Sequence, residues 1–244
     1  MKLTVIGCWG GFPKVGEASS GYLLQHDGFN LLIDFGSGVL AQMQKLIQPE
    51  QIHAVILSHY HPDHIADIGV LQHARLILGY LGKEMECLSI YGHDEDEYEF
   101  SKLTYKNITN GVAYKPDKPL IIGPFTIQFL QTEHPVPCYA MKIEAGGKTL
   151  VYTADTSYKE TFIPFCKGVD LLLCECNFYG NQDGKNAGHM TSYDAGTLAK
   201  KANVKNLMLT HLPQWGNLED LKGEAAKIYH GPISLAAFQH SITL

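Results

Sequence analysis

The run His59-Tyr60-His61-Pro62-Asp63-His64 constrains this chain more than any other stretch. It follows the apolar segment His53-Ala54-Val55-Ile56-Leu57, whose length and β-branched pair read as a short buried strand ending at the first histidine. Three imidazoles and a carboxylate so close together at a strand end call for a cation, because imidazole nitrogen and carboxylate oxygen are the usual ligands of zinc and its neighbours. His59 and His61, two apart, can converge on one ion if the backbone stays extended. Pro62 then turns the chain, so that Asp63 and His64 can face a neighbouring ion.

Further along, the same arrangement recurs: an apolar strand delivers one candidate ligand. Phe125 to Gln131 leads to His134, Lys148 to Thr153 leads to Asp155, Asp170 to Cys174 leads to Glu175, and Asn206 to Thr210 leads to His211. Side chains placed at strand ends can meet at one sheet edge while the strands bury the core. Scattered structural histidines would not fall there repeatedly.

The remaining elements are predicted as follows. Lys2 to Ile6 is a strand, broken by the glycine-rich loop Gly7-Cys8-Trp9-Gly10-Gly11-Phe12-Pro13. That loop lacks the Gly-Lys-Ser/Thr of a phosphate-binding P-loop and suits either a phosphate cradle or a lip over a site. Residues 20–24 and 30–34 form a hairpin across the turn signal Asp27-Gly28. Helices are expected over 39–47, 68–81 and 193–202, with a strand over 88–91. The acidic stretch from His93, closed by Pro116 and Pro119, reads as a surface helix and loop. His73 lies alone on an amphipathic helix and receives no metal role.

Length and composition, at 244 residues and 45% hydrophobic, suit one core and a single domain over 1–244. No window approaches the ~18 apolar residues of a membrane span, and the N-terminal strand runs into glycine too early for a signal peptide. A soluble cytoplasmic protein is expected, with no membrane partner. The six cysteines form no Cys-x-x-Cys pair, and those at 174 and 176 are expected to pack inward as small hydrophobes. A net charge of −6 without a basic run argues against a large nucleic-acid partner while allowing a small anion held by metal.

The loop motif together with its strand-end ligands resembles the metallo-β-lactamase superfamily of binuclear metallohydrolases, over about residues 3–213. The resemblance implies an α+β fold, a four-layer αββα sandwich. It assigns His59, His61 and His134 to one divalent ion, Asp63, His64 and His211 to a second, and Asp155 as the bridge between them. Asp34 becomes a brace for the metal loop, against its alternative as a helix N-cap. Two zinc ions are the first expectation, with manganese or iron compatible with the same ligands. Hydrolysis would proceed by a hydroxide shared between the ions.

Within that superfamily, Leu173-Cys174-Glu175-Cys176-Asn177-Phe178 and Gly188-His189-Met190-Thr191-Ser192 are similar to the segments that pair glutamate with histidine in ribonuclease Z and related phosphodiesterases. Asp63, His189 and Glu175 are accordingly the expected catalytic set, with His189 protonating the leaving alkoxide. Two departures count against precursor tRNA. The short span between His134 and Asp155 has no room for a tRNA-gripping arm, and the loop from Phe12 to Glu17 lacks the Pro-x-Lys-x-Arg-Asn pattern. The expected function is a phosphodiesterase for a small or cyclic phosphodiester. The rivals are tRNA 3′-processing, lactone or thioester hydrolysis and, last, a non-catalytic metal-binding protein. A homodimer is a family expectation.

Overall fold

The computed structural model describes all 244 residues, which form two compact units. The first comprises Lys2–Lys115 with Phe238–Thr243, and the second Pro116–Ala237 with the terminal residues Met1 and Leu244. The boundary falls inside the acidic, proline-closed stretch picked out from the sequence.

In chain order the first unit contains β1 (Lys2–Gly7), β2 (Gly21–His26), β3 (Phe29–Ile33), α1 (Val39–Met43), β4 (Ala54–Ile56), α2 (Pro62–Ile65), α3 (Ile68–Tyr80), β5 (Leu88–Gly92), α4 (Glu97–Ser101) and β6 (Thr109–Ala113). The second contains β7 (Leu120–Ile122), β8 (Phe125–Gln131), β9 (Tyr139–Ala145), β10 (Lys148–Tyr152), α5 (Phe162–Phe165), β11 (Leu171–Glu175), α6 (Ser192–Lys201), β12 (Leu207–Thr210), α7 (Leu218–Ala226) and β13 (Ile233–Leu235). The last strand, β14 (Ser241–Thr243), returns to the first unit beside β1. Each unit is thus a seven-stranded sheet, ordered β14-β1-β2-β3-β4-β5-β6 in the first and β13-β12-β11-β10-β9-β8-β7 in the second. The expected α+β class, with two mixed sheets and flanking helices, is observed.

Register in the first sheet is set by the β2–β3 hairpin. Asp27 and Gly28 both take positive φ, 46° and 79°, which matches the backbone twist a two-residue hairpin turn demands. From β3 onward the strands run parallel, β3 to β4 to β5 to β6. A core of Leu23, Leu32, Phe35, Val39, Val55, Leu57, Leu71 and Ile90 fills in against this sheet. Each such side chain contributes about 1.5–3 kcal/mol on burial, so the loops at the strand ends sit on a rigid base.

The second sheet places its ligand-bearing ends on one edge. β10, β11 and β12 are parallel. Because β8 and β10 each pair antiparallel with β9, β8 points the same way. The residues following β8, β10 and β12, and the last residue of β11, therefore emerge together.

Several expected elements need correction. The helix predicted over 39–47 ends at Met43, where the bonding tightens to i→i−3 turns, Lys45 N to Gln42 O and Leu46 N to Met43 O. In the acidic stretch, the helix is the single turn α4, and the expected loop gives way to the strand β6; its polar Thr-Asn-Gly start hides an edge strand from pattern reading. In β11 all five residues are buried, so Glu175 is as enclosed as its cysteine neighbours. Cys174 and Cys176 are inward as expected, and burial pushes both thiols well above their ordinary pKa.

Candidate metal centre

In the first unit, β4 delivers the motif as its sequence implies. His59 sits just past the strand, His61 precedes the helical turn α2, and Pro62 occupies the first helical position, where its missing N–H costs nothing. His59 Nε2 and His61 Nδ1 approach to 3.1 Å, and His64 Nε2 lies 3.5 Å from Asp63 Oδ2. His59, Asp63 and His64 are buried.

Asp34 orders this loop. Fully buried at the end of β3, its Oδ1 accepts Ser58 N at 2.7 Å, while Oδ2 accepts Ser58 Oγ at 2.9 Å and His64 Nδ1 at 2.8 Å. Ser58 spends its only proton on Asp34, so His59 Nδ1 donates to Ser58 Oγ at 3.0 Å. Both imidazoles are thereby fixed in the tautomer that turns Nε2 toward a cation, the carboxylate–histidine pattern common behind metal ligands. Asp34 braces the loop as expected and does not cap α1, whose N-cap is Gly38. It holds a positive φ of 55°, a strained geometry for a residue with a Cβ. From the glycine-rich loop, Gly11 N donates to Asp63 Oδ2 at 2.6 Å, so that loop positions a carboxylate.

The second unit gathers the remaining expected residues on its shared edge. Asp155 Oδ2 is 3.3 Å from His211 Nε2 and 3.9 Å from His134 Nε2, with all three side chains buried. His134 Nδ1 donates to Gly188 O at 3.1 Å, again directing Nε2 inward. Gly188 is required there. Its φ is 78°, and a Cβ would lie 2.9 Å from His134 Nδ1. Ala154, just before Asp155, and His211 itself also hold positive φ, at 51° and 50°. Strain thus collects at the ends of β10 and β12, where ligands leave the sheet.

Beside these donors stands the expected pair. His189 Nδ1 donates to Glu175 Oε1 at 2.8 Å, and Glu175 also accepts Thr156 N at 2.9 Å and Asn177 N at 3.3 Å. The His189 ring stacks on His211, with centroids 5.2 Å apart, and meets His134 edge-on at 5.3 Å. The helix after it, α6, begins in a capping box between Thr191 and Asp194, which fixes the approach of the His189 loop.

The donor set suits a divalent ion. It contains only imidazole nitrogens and carboxylate oxygens, with the second ring nitrogen of His59, His64 and His134 already committed to a serine, a carboxylate and a carbonyl. His73 is exposed on α3 and takes no part. Ser58, Gly11, Thr156 and Gly188 were not foreseen; three act through backbone groups, which carry no residue signature, and Ser58 offers only a serine beside a histidine.

Residues 29–212 match the family model described as a β-lactamase superfamily domain. The "Probable metallo-hydrolase YhfI" of Bacillus subtilis (strain 168) is 55% identical over 236 residues, covering 97% of each chain. A crystal structure of the metallo-beta-lactamase fold protein YhfI from that organism superposes with a TM-score of 0.98 at 53% identity, covering 99% of this chain and 98% of that one. A ribonuclease Z of Azobacteroides pseudotrichonymphae genomovar. CFP2 is 25% identical, covering 95% of each chain. A diphosphatase from the PhnP family shares the fold, with a TM-score of 0.79 at 17% identity, covering 100% of this chain and 97% of that one.

Proposed function

The chain belongs to the β-lactamase superfamily, a family of metallo-hydrolases, and from that premise we propose that it is a binuclear phosphodiesterase for a small or cyclic phosphodiester. The observation that carries this reading is the His189–Glu175 hydrogen bond of 2.8 Å beside His134 and His211. Hydrolysis of a thioester or lactone can proceed on metal ions alone, whereas expelling an alkoxide from phosphorus benefits from a positioned acid.

In this reading His59, His61 and His134 would hold one divalent ion and Asp63, His64 and His211 the other, with Asp155 available to both. Zinc is the first choice and manganese the second. Such ions, when bound, supply an acidified water and offset charge on the phosphoryl oxygens. Asp63, steadied by Gly11 N, accepts the proton of the attacking water. A P–O bond to the water oxygen forms as the P–O bond to the leaving alcohol breaks. His189 gives its Nε2 proton to that alkoxide, and Glu175 holds the ring through Nδ1 and stabilises it while charged. The six free cysteines, five of them buried, support a reducing, cytoplasmic setting.

The test is a substrate panel with added zinc or manganese: bis-p-nitrophenyl phosphate, cyclic nucleotides, a lactone, a thioester and a precursor tRNA. Turnover of the small phosphodiesters is the expected result. Turnover of the lactone or thioester alone would overturn the reading, and preference for precursor tRNA would move it to ribonuclease Z chemistry.

A further inference from the structure

A pocket of about 620 Å³ opens in the second unit between the loop after β11 and the length of α7. That volume is within the range of small-ligand sites. We propose that it is the base-binding subsite for a nucleoside phosphodiester, with Trp215 as the stacking platform and Asn181, Gln182 and Asp220 along the base edge, while Asn217 caps α7 and holds Asp220. This rests on the phosphodiesterase reading for what happens at phosphorus, but the binding itself does not.

Trp215 is 44% exposed and lines the pocket. Its setting is preformed. Tyr179 Oη donates to Trp215 O at 2.9 Å, and Gly216, with φ 74°, lies so close to that phenol that a Cβ would come within 2.3 Å of its oxygen. The indole meets Phe178 edge-on with centroids 6.1 Å apart, and Phe178 is in turn 6.1 Å from the His189 ring. Phe178 thus lies between Trp215 and the proposed proton donor, and a sugar linking base to phosphate would pass across this ring.

The polar lining favours a flat heterocycle. Gln182 Oε1 accepts Tyr179 N at 2.9 Å, so its amide group keeps two N–H donors for a ligand. Asp220 Oδ1 accepts Asn217 Nδ2 at 3.1 Å, and its other carboxylate oxygen supplies an acceptor suited to an exocyclic amino group. Glu219, Asp220 and Glu224 outnumber the single cation Lys227, which turns the phosphate away from the pocket and toward the histidines. A quaternary ammonium group would want several open aromatic faces. Tyr179 is only 9% exposed with its hydroxyl committed, so Trp215 stands alone in that role.

Equilibrium dialysis of the metal-free protein with labelled adenosine tests the subsite without turnover. Saturable binding is expected, competed by nucleosides with amino-bearing bases and not by ribose 5-phosphate or choline. Trp215→Ala should weaken it on the order of 10–100-fold, and Trp215→Phe should restore most of the affinity. With metal present, Trp215→Ala should raise KM for cyclic nucleotides on the order of 10–100-fold. No saturable adenosine binding, displacement by choline, or unchanged affinity in Trp215→Ala overturns the proposal. If adenosine binds as expected yet no phosphodiester is hydrolysed, the phosphodiesterase reading fails and the subsite stands.

Discussion

The two units present their candidate ligands in opposite ways. In the first, His59, His61, Asp63 and His64 come from one short loop, and their order depends on a single buried carboxylate, Asp34, working through Ser58 and His64. In the second, His134, Asp155 and His211 are far apart in the chain and depend on the common direction of β8, β10 and β12. A contiguous ligand loop needs a brace because its backbone is irregular. A dispersed set takes its common direction from the sheet and its final aim from local devices such as the Gly188 carbonyl behind His134 and the positive φ of Ala154 and His211.

The comparison can be broken or sharpened experimentally. Dialysis against a strong chelator should abolish hydrolysis altogether, with zinc or manganese restoring it; activity that survives complete metal removal would remove the need for both ligand sets. Next in size, His189→Ala should cost on the order of 10²–10⁴ in kcat while metal content, measured by atomic emission, stays at the unsubstituted level. Loss of the ions in that variant would make His189 a ligand and not an acid.

A smaller effect is expected from Asp34→Asn, which keeps the shape but removes a charge-assisted acceptor from His64. Metal affinity, read by competition with a chromophoric chelator, should fall ~10–100-fold, and the loss should come from the loop ligands. The smallest effect belongs to the helix that follows His189. Thr191→Ala removes one side of the capping box on α6 and should lower unfolding free energy by about 1 kcal/mol in urea titrations, with hydrolysis largely retained.

The same contrast explains what could be read in the sequence. The loop was legible because its spacing is rare, and the dispersed ligands were legible because each follows an apolar strand such as Phe125–Gln131, found with the expected bounds. Asp34 was legible only through family resemblance, since a lone aspartate before Gly36 equally suits a helix cap. Elements without a strong pattern were passed over. β9 alternates only over its second half, where Lys142 and Glu144 face outward between buried Met141, Ile143 and Ala145, and β13 and β14 are three residues each. Trp215 gave no signal because its pocket joins two segments that only the fold brings together, the loop at 179–182 and the length of α7. The positive φ at Ala154 and His211 was equally hidden, because neither residue type advertises a left-handed backbone.

Metal stoichiometry by native mass spectrometry on the zinc-loaded protein and its Asp155→Ala variant tests the central claim most directly. Two zinc ions per chain are predicted for the unsubstituted protein, with at most one weakly held after Asp155→Ala. Two ions bound with unchanged affinity in the variant would contradict the assignment of Asp155 as the ligand common to both.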